Sequence, residues 1–257
     1  MKVTRAIDRA QRVVAALTAA SAMLLAAASH AAALDGSPDV PRLISFGGMC
    51  KDCGLSGRRL VGAKFVGANF AGASLTGADL RGANFIGSTF TGADLARADV
   101  RGASMLGGSF LLANFSDAKL AGLEAHGVNF VDANFTRATA NDSNLSSSNL
   151  TRADGRDATF NGATLAHTVL VSGRFSRASF REANLVGANL ADGDFTDADF
   201  READMAGVVL VGATLSGANF GEAQNLTQRQ LDTSCGDART RLPKGLSTPP
   251  CAGRGRR

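Results

Sequence analysis

From Leu60 to Phe220 a large apolar residue recurs at every fifth position, and the phase never slips. Of the 33 sites in this series, 30 are Leu, Phe, Met or Val; Ala125, Ala140 and Gly155 are the exceptions. A period of five belongs neither to a helix nor to a strand. Two places before each site the residue is usually Ala, and one place before it is usually Asp, Asn, Ser or Thr. Two places after it, Gly is common. A small and a large apolar residue flanking one polar residue form a short extended piece with two side chains on one face. The Gly or polar pair that follows supplies a turn. Repetition bends the chain by a fixed amount every five residues, giving a coil of short strands and corners with Ala and the large residue inside.

The series also states how many units close one circuit. Among 29 pairs of sites 20 residues apart, 16 are Phe–Phe or Leu–Leu; among 31 pairs ten apart, none match in that way. Four units per circuit stack like residues along the axis. Sites ten apart then face each other, where a Phe opposite a Leu keeps each layer's volume nearly constant. About eight such circuits at the ~4.8 Å strand spacing span roughly 40 Å. The strings GANF, GADL, GASL and REANL resemble the A(D/N)LXX units of the pentapeptide repeat family over about 58–224. That resemblance implies an all-β fold, a right-handed quadrilateral β-helix, often dimeric, so a homodimer is an expectation here too.

The ends read differently. Lys2, Arg5, Arg9 and Arg12 precede an apolar run at 13–28 and the small-residue string ASHAAA, the pattern of a signal peptide covering 1–33. The expectation is an exported chain, periplasmic or secreted, with no membrane span after cleavage. Residues 34–57 form an N-terminal cap segment carrying Cys50 and Cys53, and 58–225 are the β-helix. Residues 226–257 are a short C-terminal capping helix and a basic tail closed by a disulfide. The helix is expected from Thr227 and Gln230, spaced as a capping box, with Leu226 and Leu231 as anchors. In an oxidising compartment Cys50, Cys53, Cys235 and Cys251 are disulfide candidates. Three connectivities exist; the local pairs, which need no contact between opposite ends of a rod, are favoured. CKDCGLSG and LTQRQLDTSCGDARTRLPKGL also resemble segments of some secreted bacterial members of the family.

Charge narrows the functional classes. The whole chain has 27 basic and 23 acidic residues, but without 1–33 the net falls to +1. The repeat body is −3, and the tail from Gln228 is +5. CKDC lacks the His of a haem attachment, the βαβ setting of a redox pair and the second close pair of a zinc site. His126 and His167 fall at outward positions with no Ser, Cys or carboxylate at a recognisable spacing. Asp192, Asp194, Asp197, Asp199, Glu202 and Asp204 concentrate negative charge as an interaction patch beside Arg174, Arg177 and Arg181, although Asp194, Asp199 and Asp204 occupy the common Asp/Asn slot, and successive slots fall on successive faces. The sequence therefore offers no catalytic, cofactor-binding or metal-binding set. With no Trp or Tyr and nearly all Phe inward, it has no stacking platform for nucleic acid. The expected role is a non-enzymatic scaffold for a protein partner. The alternative is a DNA-mimicking, topoisomerase-binding protein of the quinolone-resistance kind, a role the family resemblance brings with it and one that needs strong negative charge.

Overall fold

The computed structural model describes residues 44–46 and 48–251, all within one unit, Asp39–Arg257. The expected signal peptide at 1–33, the start of the cap segment and residues 252–257 lie outside the described residues. Strand β1 (Ile44–Phe46) pairs in parallel with β2 (Lys64–Val66), so the chain lies beside itself 20 residues later. Single parallel bridges repeat that step from Met49–Asn69 to Asp204–Gln224, one in every pentapeptide. Four units therefore make one circuit. The segment expected as a cap joins this ladder from residue 44 onward, with Cys50 and Leu55 packed against the core in the slots of the five-residue series.

Each unit uses its backbone in the same way. In the unit around Phe85, the Phe85 N–H donates to Ser104 O (2.7 Å) and the Gly87 N–H to Leu106 O (2.9 Å), both one circuit on. The Asn84 N–H donates to Ala63 O (2.7 Å), one circuit back, and the Ser88 N–H closes the corner on Phe85 O (3.0 Å). The corner needs a left-handed residue two places after each large one. At every such position from 52 to 222, φ lies between 55° and 69°. Roughly half of these corners are Gly, and the rest are polar residues such as Asp, Arg and Ser, apart from Leu112. A non-Gly residue in this region costs of order 1 kcal/mol, which the ladder on both sides outweighs.

Inside, Phe70, Phe90 and Phe110 stack with ring centroids 4.7 Å apart, and Phe160, Phe180, Phe200 and Phe220 stack at 4.8–5.2 Å. The first stack gives way to Leu150, and the second starts on the opposite side at Phe160. The three small exceptions, Ala125, Ala140 and Gly155, lie at this change of side. Small residues at these slots predict a thinner core or a kink. The ladder instead continues through Glu124–Asn144, Thr139–Thr159 and Asp154–Arg174. Leu123 and Val128 stand where Ala is usual and are fully buried. At Gly155 the Phe175 ring fills the vacant volume, and a Cβ would sit 2.3 Å from Phe175 Cδ1.

The C-terminus continues the circuit instead of merely covering it. Helix α1 (Gln228–Leu231) replaces one side of a circuit, with Leu231 fully buried and Leu226 partly so. The Thr227 N–H donates to Gln230 Oε1 (2.8 Å), one half of the expected capping box. Gln230 Nε2 donates to Val208 O (3.0 Å), the carbonyl that the next circuit's N–H would otherwise take, and to Met205 O (2.8 Å). After α1 the ladder resumes with the offset stretched to 21 at Thr214–Cys235 and 22 at Asn219–Arg241, then ends at Gly236–Pro250. Pro249 and Pro250 lack the N–H groups that a further strand would use.

The filled space at Gly155 yields a test. Gly155→Leu restores the usual residue type at that slot, yet overpacking against Phe175 should destabilise the fold by about 1–3 kcal/mol. Met205→Leu, a volume-conserving change in another slot, should cost less than about 1.5 kcal/mol. Urea denaturation of both variants checks the pair; a neutral Gly155→Leu contradicts the packing.

Candidate functional site

The polar skin of the coil is built by the backbone's one unmet need. Four of the five N–H groups in each unit are taken by the ladder or the corner, and the fifth belongs to the residue just after the large one. At seventeen described units an Asp or Asn just before the large residue accepts that N–H through Oδ1, as Asn69 does from Ala71 (2.9 Å). This is the local turn bond that suits Asx residues to such sites. Asp194, Asp199 and Asp204 are three of the seventeen.

The six acids expected as one patch are wound around the coil. Asp194 bridges Arg174 and Thr214, Asp199 bridges Ser179 and Asn219, and Asp204 bridges Asn184 and Gln224, so these three occupy three successive sides. Asp192, Asp197 and Glu202 occupy the corners between them. Most also have close partners. Asp199 holds Arg201 through both oxygens, Asp197 holds Arg239 (2.7 Å), Glu202 meets Arg181 (3.4 Å) and Asp204 accepts from Asn225 Nδ2 (2.8 Å). The neighbouring arginines are engaged likewise: Arg174 with Asp154 (2.8 Å) and Arg177 with Asp157 (2.6 Å).

One corner carries an arrangement that sequence reading missed. Positions 97, 117, 137, 157, 177 and 197 alternate Arg and Asp, one residue per circuit. Arg137 chelates Asp117 (2.7 Å), Arg177 chelates Asp157, and Arg239 ends the column by joining Asp197 to Asp237. The signal was available at a 20-residue spacing. The hydrogen bond from Arg137 holds the Asp117 carboxyl below the usual carboxylate range, and Arg177 does the same for Asp157. Arg81 and Arg101 lower Asp79 and Asp99. Burial works against ionisation of Asp154, but Arg156 and Arg174 outweigh it.

His126 and His167 are both exposed. The structure does bring one to a serine: His126 Nδ1 lies 2.9 Å from Ser146 Oγ, one circuit on. That hydroxyl donates its proton to Asn144 Oδ1 (2.6 Å), and Asn144 Nδ2 donates to Glu124 Oε2 (3.3 Å). With its proton so committed, Ser146 can only accept from the ring N–H, the reverse of a serine activated by a base. The cysteines form the two local pairs. Cys50–Cys53 spans one corner of the first circuit, and Cys235–Cys251 closes the last layer, where the Cys251 N–H donates to Gly236 O (3.0 Å).

The sequence model for pentapeptide repeats matches residues 53–224 in eight copies. The chain belongs to the pentapeptide repeat family. Members fold as right-handed β-helices. Among solved members, HetL, involved in heterocyst differentiation regulation in the cyanobacterium Nostoc sp. strain PCC 7120, is 27% identical, with a TM-score of 0.47 over 76% of this chain and 88% of HetL. A trypsin-treated form of QnrB1, a plasmid-mediated fluoroquinolone resistance protein, is 21% identical, with a TM-score of 0.44 over 67% of this chain and 91% of QnrB1. Rfr23 from the cyanobacterium Cyanothece 51142 is 27% identical, with a TM-score of 0.26 over 41% and 64%. No curated protein matches this pentapeptide repeat chain.

Two outcomes follow for the skin and the seal. The lowered carboxyl groups stabilise the fold fully above the ordinary Asp value near 3.9, and that contribution is lost as pH falls through their folded values. Thermal midpoints should therefore be flat from about pH 8 to 5 and drop below about pH 4; a midpoint that holds in acid contradicts the pairing. Replacing both Cys235 and Cys251 by Ala opens a loop with a sequence separation of 16 and should cost about 3 kcal/mol in urea denaturation.

Proposed function

We propose that this pentapeptide repeat protein is an exported, non-enzymatic scaffold, a β-helix of about eight circuits whose sides bind protein. The carrying observation is where the ionisable groups go. Carboxylates close the repeat's own turns and chelate arginines, so the surface offers shape and a regular grid instead of reactive groups. Pentapeptide repeat proteins are generally structural or interaction proteins, which agrees with this reading. Two disulfides and a basic, apolar leader favour an oxidising compartment. No helix among the described residues is long and apolar enough to cross a membrane. DNA mimicry is disfavoured by the same ion pairs, which neutralise much of a body that is only −3 to begin with.

Crosslinking in the producing cell, followed by fractionation and mass spectrometry, tests the proposal. The expected result is a chain starting after Ala31 or Ala33, outside the cytosol, joined to one or a few specific proteins. An intact Met1 in the cytosolic fraction sinks export, and an absence of specific protein adducts sinks the scaffold role.

A further inference from the structure

One side of the coil differs from the other three in what it lacks. The window 66–71 and its equivalents at 20-residue steps, ending at 206–211, contain no Asp, Glu, Lys or Arg. Parallel bridges from Asn69–Thr89 to Asn189–Val209 stack these windows directly on one another. They form a strip made of one flat side, the corner leading into it and the edge beyond that corner. His126 and His167 stand on the edge and the corner, off the flat side. Each remaining side carries charged residues, such as Arg81 and Asp99 opposite and Glu124 and Asp194 on the two flanks. Exposed apolar residues do not single the strip out, since Val61 and Leu112 lie elsewhere. The absence of charge does.

The flat side is also ordered. Its two outward ranks, stepping by 20 from Asn69 to Val209 and from Ala71 to Val211, hold nothing but Asn, Thr, Ser, Ala, Val and Leu. Neighbours in a rank are ~4.8 Å apart, and the ranks, two residues apart on each strand, are separated by roughly 7 Å. The Asn side chains are clamped. Oδ1 of Asn69, Asn129, Asn149 and Asn189 accepts the N–H of Ala71, Val131, Thr151 and Ala191 at 2.9–3.1 Å, which holds each amide NH2 group in one place. Successive circuits barely turn on one another here. Beneath this side the ring planes of Phe70 and Phe90 differ by 10° and those of Phe90 and Phe110 by 7°, whereas neighbouring strands of ordinary sheets rotate by ~20–25°.

We propose that this side is an ice-binding surface, whose ligand is the water lattice at the face of an ice crystal. That ligand bears no counter-charge, so an ionised side chain pressed against it would lose hydration without compensation. It is periodic in two directions, and so is this side, at spacings of the same order as the oxygen repeats on the prism faces of ice. It is rigid, which favours donors fixed before contact. Methyl groups of Val, Ala and Thr restrict the water around them, and the clamped amides and the hydroxyls tie that water to the chain. Charge on the other three sides keeps them hydrated in the liquid, so that ice holds the coil by one side only. This activity needs no protein partner and is independent of the scaffold role.

The test is inhibition of ice recrystallisation by the full chain in buffered saline, with serum albumin at equal mass as the baseline. The wild type should arrest grain growth at micromolar concentrations. Val131→Arg with Val171→Arg, which places two charges in the middle of the side, should raise the effective concentration at least about tenfold. Val61→Arg with Ala121→Arg, the same charge in the same slots of the opposite side, should leave it unchanged. Circular dichroism melts establish that both variants are folded, and Val131→Gln with Val171→Gln, which breaks the plane without charge, substitutes if the first arginine pair is not. Grain growth no slower than with albumin overturns the proposal, whatever protein or vesicle the side then binds. An equal response to the two pairs of changes overturns it too.

Discussion

The hydrogen bonds between circuits govern everything else in this molecule. A chain that returns beside itself after 20 residues can satisfy four of every five N–H groups with its own backbone, and the fifth only with a side chain placed just before the corner. Buried or half-buried donors cannot be left unmet. The backbone therefore recruits Asp and Asn to one slot, Ala to another and a left-handed residue to a third. Only then are the remaining positions free to vary.

That regularity creates a problem of register. Units so alike in backbone and polar skin could stack one circuit out of place at little local cost, much as a flat strand slips. Two features resist the slip. The Phe stack changes side between Phe130 and Phe160, so a skipped circuit there would set Phe130 against Phe160 or Leu120 against Leu150. The corner column of Arg97, Asp117, Arg137, Asp157, Arg177 and Asp197 alternates in sign, so skipping one circuit brings Arg to Arg and Asp to Asp. Each ion pair alone is weak at the surface, but a slip converts several attractions into repulsions at once, which specifies the arrangement more than it stabilises it.

Much of this was legible in advance because it depends on periodicity. The five-residue slots, the circuit of four units, the local cysteine pairs and the short helix at Gln228 all follow from spacing and residue type. What escaped depends on reading across circuits instead of along them. That Asp194, Asp199 and Asp204 turn onto successive sides follows from their shared slot, but their partners Arg201, Arg239, Arg181 and Asn225, some a circuit or two away, do not. Ser146 and His126 look unrelated and lie 2.9 Å apart. The continuation past Phe220 was obscured because α1 lengthens the circuit by one residue and the loop to Arg241 adds another, which breaks the phase while the hydrogen bonds carry on.

On such a scaffold the location of function can be separated from the demands of folding. All four sides share one backbone, one set of hydrogen bonds and one inward pattern, so any difference among sides must originate outside the fold's own requirements. An Asp or Asn closes the turn at Asp79 and at Asn69 alike, and a following Arg or Ala is accepted alike. The slots from Asn69 to Val211 could thus hold charge at no structural cost, and chains of this kind gain solubility from charge. Its exclusion from a single continuous strip, together with Val, Ile and Leu in exposed slots there, runs against both solubility and indifference.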